Sequence, residues 1–332
     1  MKRRSTIVEV AQLAGVSTAT AARVFDPAWE GRVRQSTREK VLKAARELDY
    51  HRGDALVRGI QGRGTNMIAV VVGPSLGYFY QDVLMRFVHE LRLIGKQALV
   101  FEMDPTSDLS SVVEQVHNYR VDAVIITAAA SASSLVQLIG SNSLPVITFD
   151  LRSPDASCVY CNSSEGVQTA AEYLLSCGHR TFKVVTANQN ASIDPERSAS
   201  FCAYVRSHGG EILEVLDADY GYEAGRAIAS RLFTGTIPDA VFCVEDLLAL
   251  GVMDEARAMG LRVPEDVSVM GFDGVSVGSY APYGLTTLQH PVEEMVHNTM
   301  DVLGQLLENP QQRLELVSHL QLCIRSSVAS TK

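Results

Sequence analysis

The chain has 332 residues, 46% of them hydrophobic and 20% charged, which is too long for one ordinary core and implies two or three globular domains. No apolar run approaches the ~20 residues of a membrane span, and the Lys2-Arg3-Arg4 start precedes no signal-peptide core, so a cytoplasmic protein with no membrane partner is expected. The net charge of −9 is uneven: residues 1–64 carry 13 Lys+Arg against 7 Asp+Glu, while the remainder carries 16 against 31.

A basic end on an acidic chain fits either a solvated tail or a local contact with phosphates, whose neutralisation is screened within about 10 Å. Helix start signals decide between them. Thr6-Ile-Val-Glu9 has the spacing of a capping box, with a helix predicted to run through Val10, Ala11 and Leu13 and to stop at Gly15. Ser17 should cap a second helix that turns Ala21, Val24 and Phe25 inward, so Gly15-Val16-Ser17 becomes the tight turn of a helix-turn-helix. Ser36-Thr-Arg-Glu39 reads as a second capping box, opening a helix with Val41, Leu42, Ala45 and Leu48 on one face. Residues 26–35, with Pro27, Trp29 and Gly31, form the loop between.

Such a unit reads DNA by laying its second helix in the major groove. Thr18, Ala19 and Arg23 would meet base edges there, Arg23 as a bidentate partner of guanine, while Ser17, Thr20, Arg34 and Arg38 suit phosphates. The competing reading is a three-helix protein-binding module.

Residues 51–66 separate this head from the first strong strand. Asp54 could cap a helix over 55–61, but two turns are unstable in water and Gly59 weakens them further, so composition alone favours a tether.

From Met67 strands alternate with amphipathic helices. Strands are predicted at 67–73, 98–102, 123–127 and 146–149, then at 182–186, 211–216, 240–244 and 267–271. Helices are predicted at 80–94, 109–119, 163–177, 195–208, 222–233 and 247–259. This alternation gives parallel sheets flanked by helices, and a break near residue 161 divides them into two lobes around a cleft. Gly73-Pro-Ser-Leu-Gly77 matches neither GxGxxG nor GKS/T, which argues against a nucleotide enzyme. Cys158 and Cys161 have CxxC spacing, but no second pair completes a zinc site and the run reads as a buried strand; core packing is favoured, with no metal and no cofactor. His179, in Gly-His-Arg, invites a catalytic role, yet no nucleophile, base and oxyanion group converge in any motif, so no catalytic residue is assigned.

The runs 7–26 and 36–41 resemble the LacI/GalR (lactose-repressor) family of bacterial transcription regulators. Similar matches follow in 121–127, 144–150, 178–180, 238–243, 249–251, 260–273 and 285–291, so the resemblance spans about 5–328. It implies an α/β body like a periplasmic binding protein behind an all-α helix-turn-helix domain. The implied divisions are 1–50 for the head, 51–66 for a hinge, 67–161 with about 292–318 for one effector lobe, and 162–291 with about 319–332 for the other.

The resemblance also implies that the hinge folds on DNA and enters the minor groove, with Ala55, Arg58 and Ile60 in contact and Ile60 as the wedge. Gly53-Asp54 stands where Pro-Asn is usual, Ile60 where Leu is, and Ala21-Ala22 where Val-Ser is. Effector positions implied are Phe79, Tyr80, Thr127, Asp150, Arg197, Tyr220, Glu245, Asp273 and His290. Two positions depart: Glu245 replaces Asn, and Leu151 replaces an Arg common in sugar repressors. The added charge favours a polyol, an amine-bearing ligand or a cation over an acidic effector.

The expectation is a sequence-specific regulator acting as a repressor. It would bind pseudo-palindromic double-stranded operator DNA in the nucleoid as a homodimer and answer to a sugar or sugar derivative. The last residues, 326–332, show no heptads, so no tetramer is expected. A solute receptor with the same body fold is the alternative; it should have a signal peptide and no DNA-binding head.

Overall fold

A computed structural model describes residues 5–25, 29, 31–50, 64–73, 77–103, 109–127, 132–140, 144–187 and 196–330. The chain divides into two compact units, Met1–Asn66 and Met67–Lys332. No helix among the described residues is long and apolar enough to cross a membrane.

In the first unit, α1 (Ile7–Ala14), α2 (Thr18–Val24) and α3 (Gln35–Glu47) bury Val10, Ala11, Ala21, Val24, Val41, Ala44 and Ala45 as a small core. The capping box on α1 forms as expected: the Glu9 amide donates to Thr6 Oγ1, and the Thr6 amide donates to Glu9 Oε2 at 2.7 Å. Gly15 ends α1 at φ +68°, a conformation in which a Cβ is strained. The third helix departs from expectation. It starts at Gln35 with Arg34 as an N-cap that makes no side-chain bond, and Glu39 accepts from Gln35 Nε2 at 3.1 Å. Ser36 therefore lies inside the helix and the predicted capping box does not form; a two-residue shift of the N-cap, from Ser36 to Arg34, removes the geometry the pattern requires.

The second unit holds two six-stranded sheets. One contains β1 (Met67–Val72), β2 (Gln97–Glu102), β3 (Ala123–Thr127), β4 (Val146–Phe149), β5 (Ser157–Cys161) and β11 (Glu315–Ser318), in the order β11-β5-β4-β3-β1-β2. The other contains β6 (Thr181–Ala187), β7 (Glu211–Ala218), β8 (Ala240–Cys243), β9 (Ser268–Asp273), β10 (Thr286–Gln289) and β12 (Gln321–Cys323), in the order β12-β10-β9-β8-β6-β7. Every strand pairing is parallel except β10 with β12. β3, β4 and β8 are buried throughout, as central parallel strands must be, while the edge strands β2 and β7 expose Val100 and Val215.

Around these lie α4 (Tyr78–Leu93), α5 (Leu109–Asn118), α6 (Ala132–Gly140), α7 (Ser163–Ser176), α8 (Glu196–Ser207), α9 (Tyr222–Leu232), α10 (Asp246–Ala258) and α11 (Val292–Glu308). The patterning above predicts neither α6 nor α11, nor the short strands after residue 285. Helix α11 returns Met295, Val296, Val302, Leu303 and Leu306 to the core that contains Ile68, Phe87 and Phe149 of the first sheet.

In both sheets the strand order reverses beside the first strand, between β1 and β3 and between β6 and β8. Such switch points open a crevice at the carboxyl ends of the strands. That is where the polar side chains of the body collect.

Candidate functional site

In the first unit, the Ser17 side chain accepts the Thr20 amide at 3.1 Å, and the two hydroxyls lie 2.8 Å apart. The cap thus fixes the start of α2 while Ser17, Thr18, Ala19 and Arg23 stay exposed and Thr20 is half-buried. Arg34 is exposed at the start of α3 and Arg38 is half-buried on it. The guanidinium of Arg23 lies 4.3 Å from the centroid of the Trp29 ring. Trp29 stands in the sequence only as a loop residue; an aromatic six positions after an Arg has no periodic signal, and only the tertiary structure shows the contact. Ala55, Arg58 and Ile60 lie outside the described residues.

In the body, Asp150 follows β4 and Asp273 ends β9, both at positive φ, +59° and +110°. Non-glycine residues rarely adopt such backbone, and it persists where surrounding contacts hold it. His290 follows β10, set beside β9 by the Gln289–Asp273 register. Its Nδ1 faces Asp150 Oδ1 at 3.6 Å and its Nε2 faces Asp273 Oδ1 at 3.7 Å. Both ring nitrogens are buried without a hydrogen-bond partner. One imidazole therefore stands between a carboxylate from each sheet.

Arg197, on α8, donates Nη1 to Val244 O at 3.1 Å and to Asp273 Oδ1 at 3.4 Å, with its guanidinium 3.8 Å above the Phe272 ring. Tyr80 donates its hydroxyl to Asp150 Oδ2 at 3.3 Å. Phe79 packs its ring 4.7 Å from that of His290. Because α4 starts at Tyr78, both aromatics sit on its first turn rather than in the preceding loop.

Glu245 follows β8, only 8% exposed, and Oε2 accepts the Gly221 amide at 2.8 Å. Tyr220 precedes that glycine and is 39% exposed. Thr127 is buried at the end of β3, its hydroxyl donated to Val71 O at 3.1 Å inside the sheet rather than towards the cluster. An open groove of about 1120 Å³ shares Phe79, Asp273 and His290 with the cluster but continues along α4 and α11, away from Asp150, Arg197 and Glu245. The chemistry is concentrated in the buried cluster, where contacts are specific and dielectric is low.

Burial sets the electrostatics. It raises the Asp150 carboxyl, against the pull of His290 and Arg197, and raises the Tyr80 hydroxyl well above its ordinary value. Glu245 is pushed up to about 7, first by burial and then by the Asp273 charge. Asp246, overlooked in the sequence beside Glu245, is fully buried and raised by desolvation. Its two oxygens accept the Thr287 hydroxyl at 2.6 Å and the Val275 amide at 2.8 Å, which pins the turn after Asp273.

Two residues outside the cluster drew attention in the sequence. His179 is buried in the turn between α7 and β6, with burial lowering its imidazole. Cys161 directs its thiol to the Met295 sulfur at 3.5 Å, and Cys158 is buried in the same strand.

Residues 6–53 match the lacI family of bacterial regulatory proteins, and 171–328 match a periplasmic binding protein-like domain. The chain thus carries a lacI-type helix-turn-helix domain and a periplasmic binding protein-like domain. With these two domains it is a DNA-binding transcriptional regulator. It is 28% identical over 303 residues to the HTH-type transcriptional regulator DegA of Bacillus subtilis (strain 168), covering 88% of each chain. It is 26% identical to the HTH-type transcriptional repressor PurR of Vibrio vulnificus (strain CMCP6), covering 98% of each. Among solved structures, a Lac repressor dimer bound to operator and the anti-inducer ONPF superposes with a TM-score of 0.85 at 21% identity, covering 98% of this chain and all of that one. A complex of the transcriptional regulator CelR with cellobiose gives a TM-score of 0.72 at 26% identity, with the same coverage.

Proposed function

We propose that this regulator is a repressor that binds a two-fold symmetric operator as a homodimer and is controlled by a small hydroxyl-rich effector held in the body. The observation that carries the effector reading is His290, buried between Asp150 and Asp273 with both ring nitrogens unpartnered. A buried polar group without a partner costs about 1–3 kcal/mol, so a ligand hydroxyl that met it would gain binding energy directly. Arg197, Asp150 and Asp273 supply donors and acceptors on different sheets, as recognition of a polyol requires. The cellobiose complex of CelR and the ligand-bound Lac repressor dimer support an effector and a dimer by analogy.

In this reading Thr18, Ala19 and Arg23 read bases, while Ser17, Thr20, Arg34 and Arg38 hold phosphates. Residues 51–66 act as the hinge, with Ala55, Arg58 and Ile60 towards the minor groove. The effector favours one arrangement of the two sheets, and the bias passes along the chain to operator affinity, with coupling that acts equally in both directions. The protein works in the cytoplasm and has no catalytic role.

Operators selected from random duplex DNA with the full chain, then titrated with a panel of sugars, test this proposal. A change in operator affinity with one sugar class, abolished in Asp273→Asn while ligand-free DNA binding persists, is the expected result. Operator binding indifferent to every sugar would overturn the effector assignment.

A further inference from the structure

We propose that the effector carries a protonated amine as well as hydroxyls, and that Glu245 and Asp273 receive the amine. This rests on the effector reading above and narrows its chemistry. Three carboxylates, Asp150, Asp273 and Glu245, act on one guanidinium, Arg197, in largely buried surroundings. The side chains of Asp150, Asp273 and Arg197 are 5%, 11% and 11% exposed. Negative charge in such surroundings is poorly solvated, and a cation from outside is the direct remedy.

The partners of each carboxylate locate the cation. Asp150 already accepts the Tyr80 hydroxyl, and its other oxygen faces His290. Asp273 shares Arg197 with the Val244 carbonyl, over a long 3.4 Å contact. Glu245 has only neutral backbone amides on it, those of Gly221 and Leu248, while its Oε1 points towards the start of α4 at Gly77, where an added Cβ would lie 4.0 Å away. Among the described residues no ion pair includes Glu245, and burial together with the Asp273 charge raises its carboxyl to about 7. An ammonium placed between Glu245 and Asp273 would let Glu245 ionise beside the Asp273 charge. The aromatic rings of Phe79, Tyr80 and Phe272 line the same cluster, and such faces attract cations.

The other chemistries fit less well. An acidic effector would meet three carboxylates and one Arg. A bare metal ion would need at least three clustered ligands, and the described residues contain no such group. A neutral polyol satisfies His290 and Arg197 but brings no cation to Glu245, which has no charged partner, or to Asp273, whose contact with Arg197 is long. Hydroxyls on His290 and Arg197 with an amine on Glu245 use every group.

The test is calorimetric titration of the full-length protein with matched sugars: D-glucosamine and D-galactosamine, their parent hexoses, and their N-acetyl derivatives. The amine is expected to bind at least about tenfold more tightly than its neutral counterparts, as a buried charge pair would give. Glu245→Gln should erase that preference while operator binding, used as the check of fold, is kept. If the glutamine variant does not fold, the comparison of amines with N-acetyl derivatives on the natural protein decides alone. Neutral sugars that bind as well as the amines would overturn the inference and leave the effector reading intact. Binding by no member of the panel would overturn both.

Discussion

At the residue scale the two functional regions use charge in opposite ways. Arg23 is exposed and its guanidinium lies over the Trp29 ring, so a flexible side chain is presented in a narrowed set of orientations. Arg23→Ala should relax base preference at a single operator position and cost about 1–3 kcal/mol there. Trp29→Ala should produce a weaker version of the same change, read by comparing binding across single-base operator variants. An unaltered preference in the arginine variant would show that another residue reads that base.

Glu245 lies at the other extreme, buried and proton-retaining. Its carboxyl is raised from 4.5 to about 7, so the folded state holds a proton that the unfolded chain has released. The associated stability is complete below about pH 4.5 and is lost as the pH rises through about 7. Asp150 and Asp246 are shifted in the same direction by burial. Urea midpoints measured across that window should therefore fall more steeply with pH in the natural protein than in Glu245→Gln. Parallel pH curves for the two proteins would mean that Glu245 is ionised in the fold.

At the element scale, two helix starts that look alike in sequence behave differently. Thr6 caps α1 with a reciprocal bond to Glu9, whereas Ser36 sits past the start of α3 and caps nothing. Thr6→Ala should destabilise the head by about 1 kcal/mol and Ser36→Ala should leave it nearly unchanged, as read from thermal unfolding. A tighter constraint operates where α9 crosses α10. A Cβ on Gly251 would overlap the Tyr222 carbonyl oxygen, and one on Gly225 the Leu248 carbonyl. Gly251→Ala should cost about 1–3 kcal/mol, because backbone rather than a mobile side chain must give way. Calorimetry showing no loss would imply that the helices separate without cost. Glycine at 251 is visible in the sequence, but its partner Tyr222, on the preceding helix, is not.

At the scale of the whole molecule, the chemistry is placed by topology. In each sheet the reversal of strand order beside the first strand opens the carboxyl ends, and Asp150, Glu245, Asp273 and His290 all follow or end strands there. The two sheets share the chain at three points, after Cys161, after Gln289 and after Ser318, so a shift of one against the other moves all three connections together. Three parallel connections suit a ligand-biased movement between two arrangements. Sedimentation of the full chain should give a dimer, unchanged in stoichiometry on a symmetric operator; a stable monomer on that DNA would contradict the proposed assembly.

Much of this was legible beforehand because local rules govern it. Capping chemistry announces α1 and α2, apolar runs mark β1, β3, β4 and β8, and alternation of strands with helices dictates parallel sheets. Effector positions such as Asp150 and Asp273 came from resemblance, since nothing in a lone aspartate at a strand end distinguishes a ligand contact from a solvated turn. Only the tertiary structure decided that His290 stands between those two aspartates, that Trp29 backs Arg23, that Asp246 pins the turn beyond Asp273, and that Thr127 spends its hydroxyl within the sheet. It also decided where α11 belongs, by returning its apolar face to the first sheet from more than two hundred residues along the chain. Periodicity records which face of an element avoids water, and the sequence carries that fully; which distant group meets it is settled only when strands align in register and every buried polar atom has to find a partner.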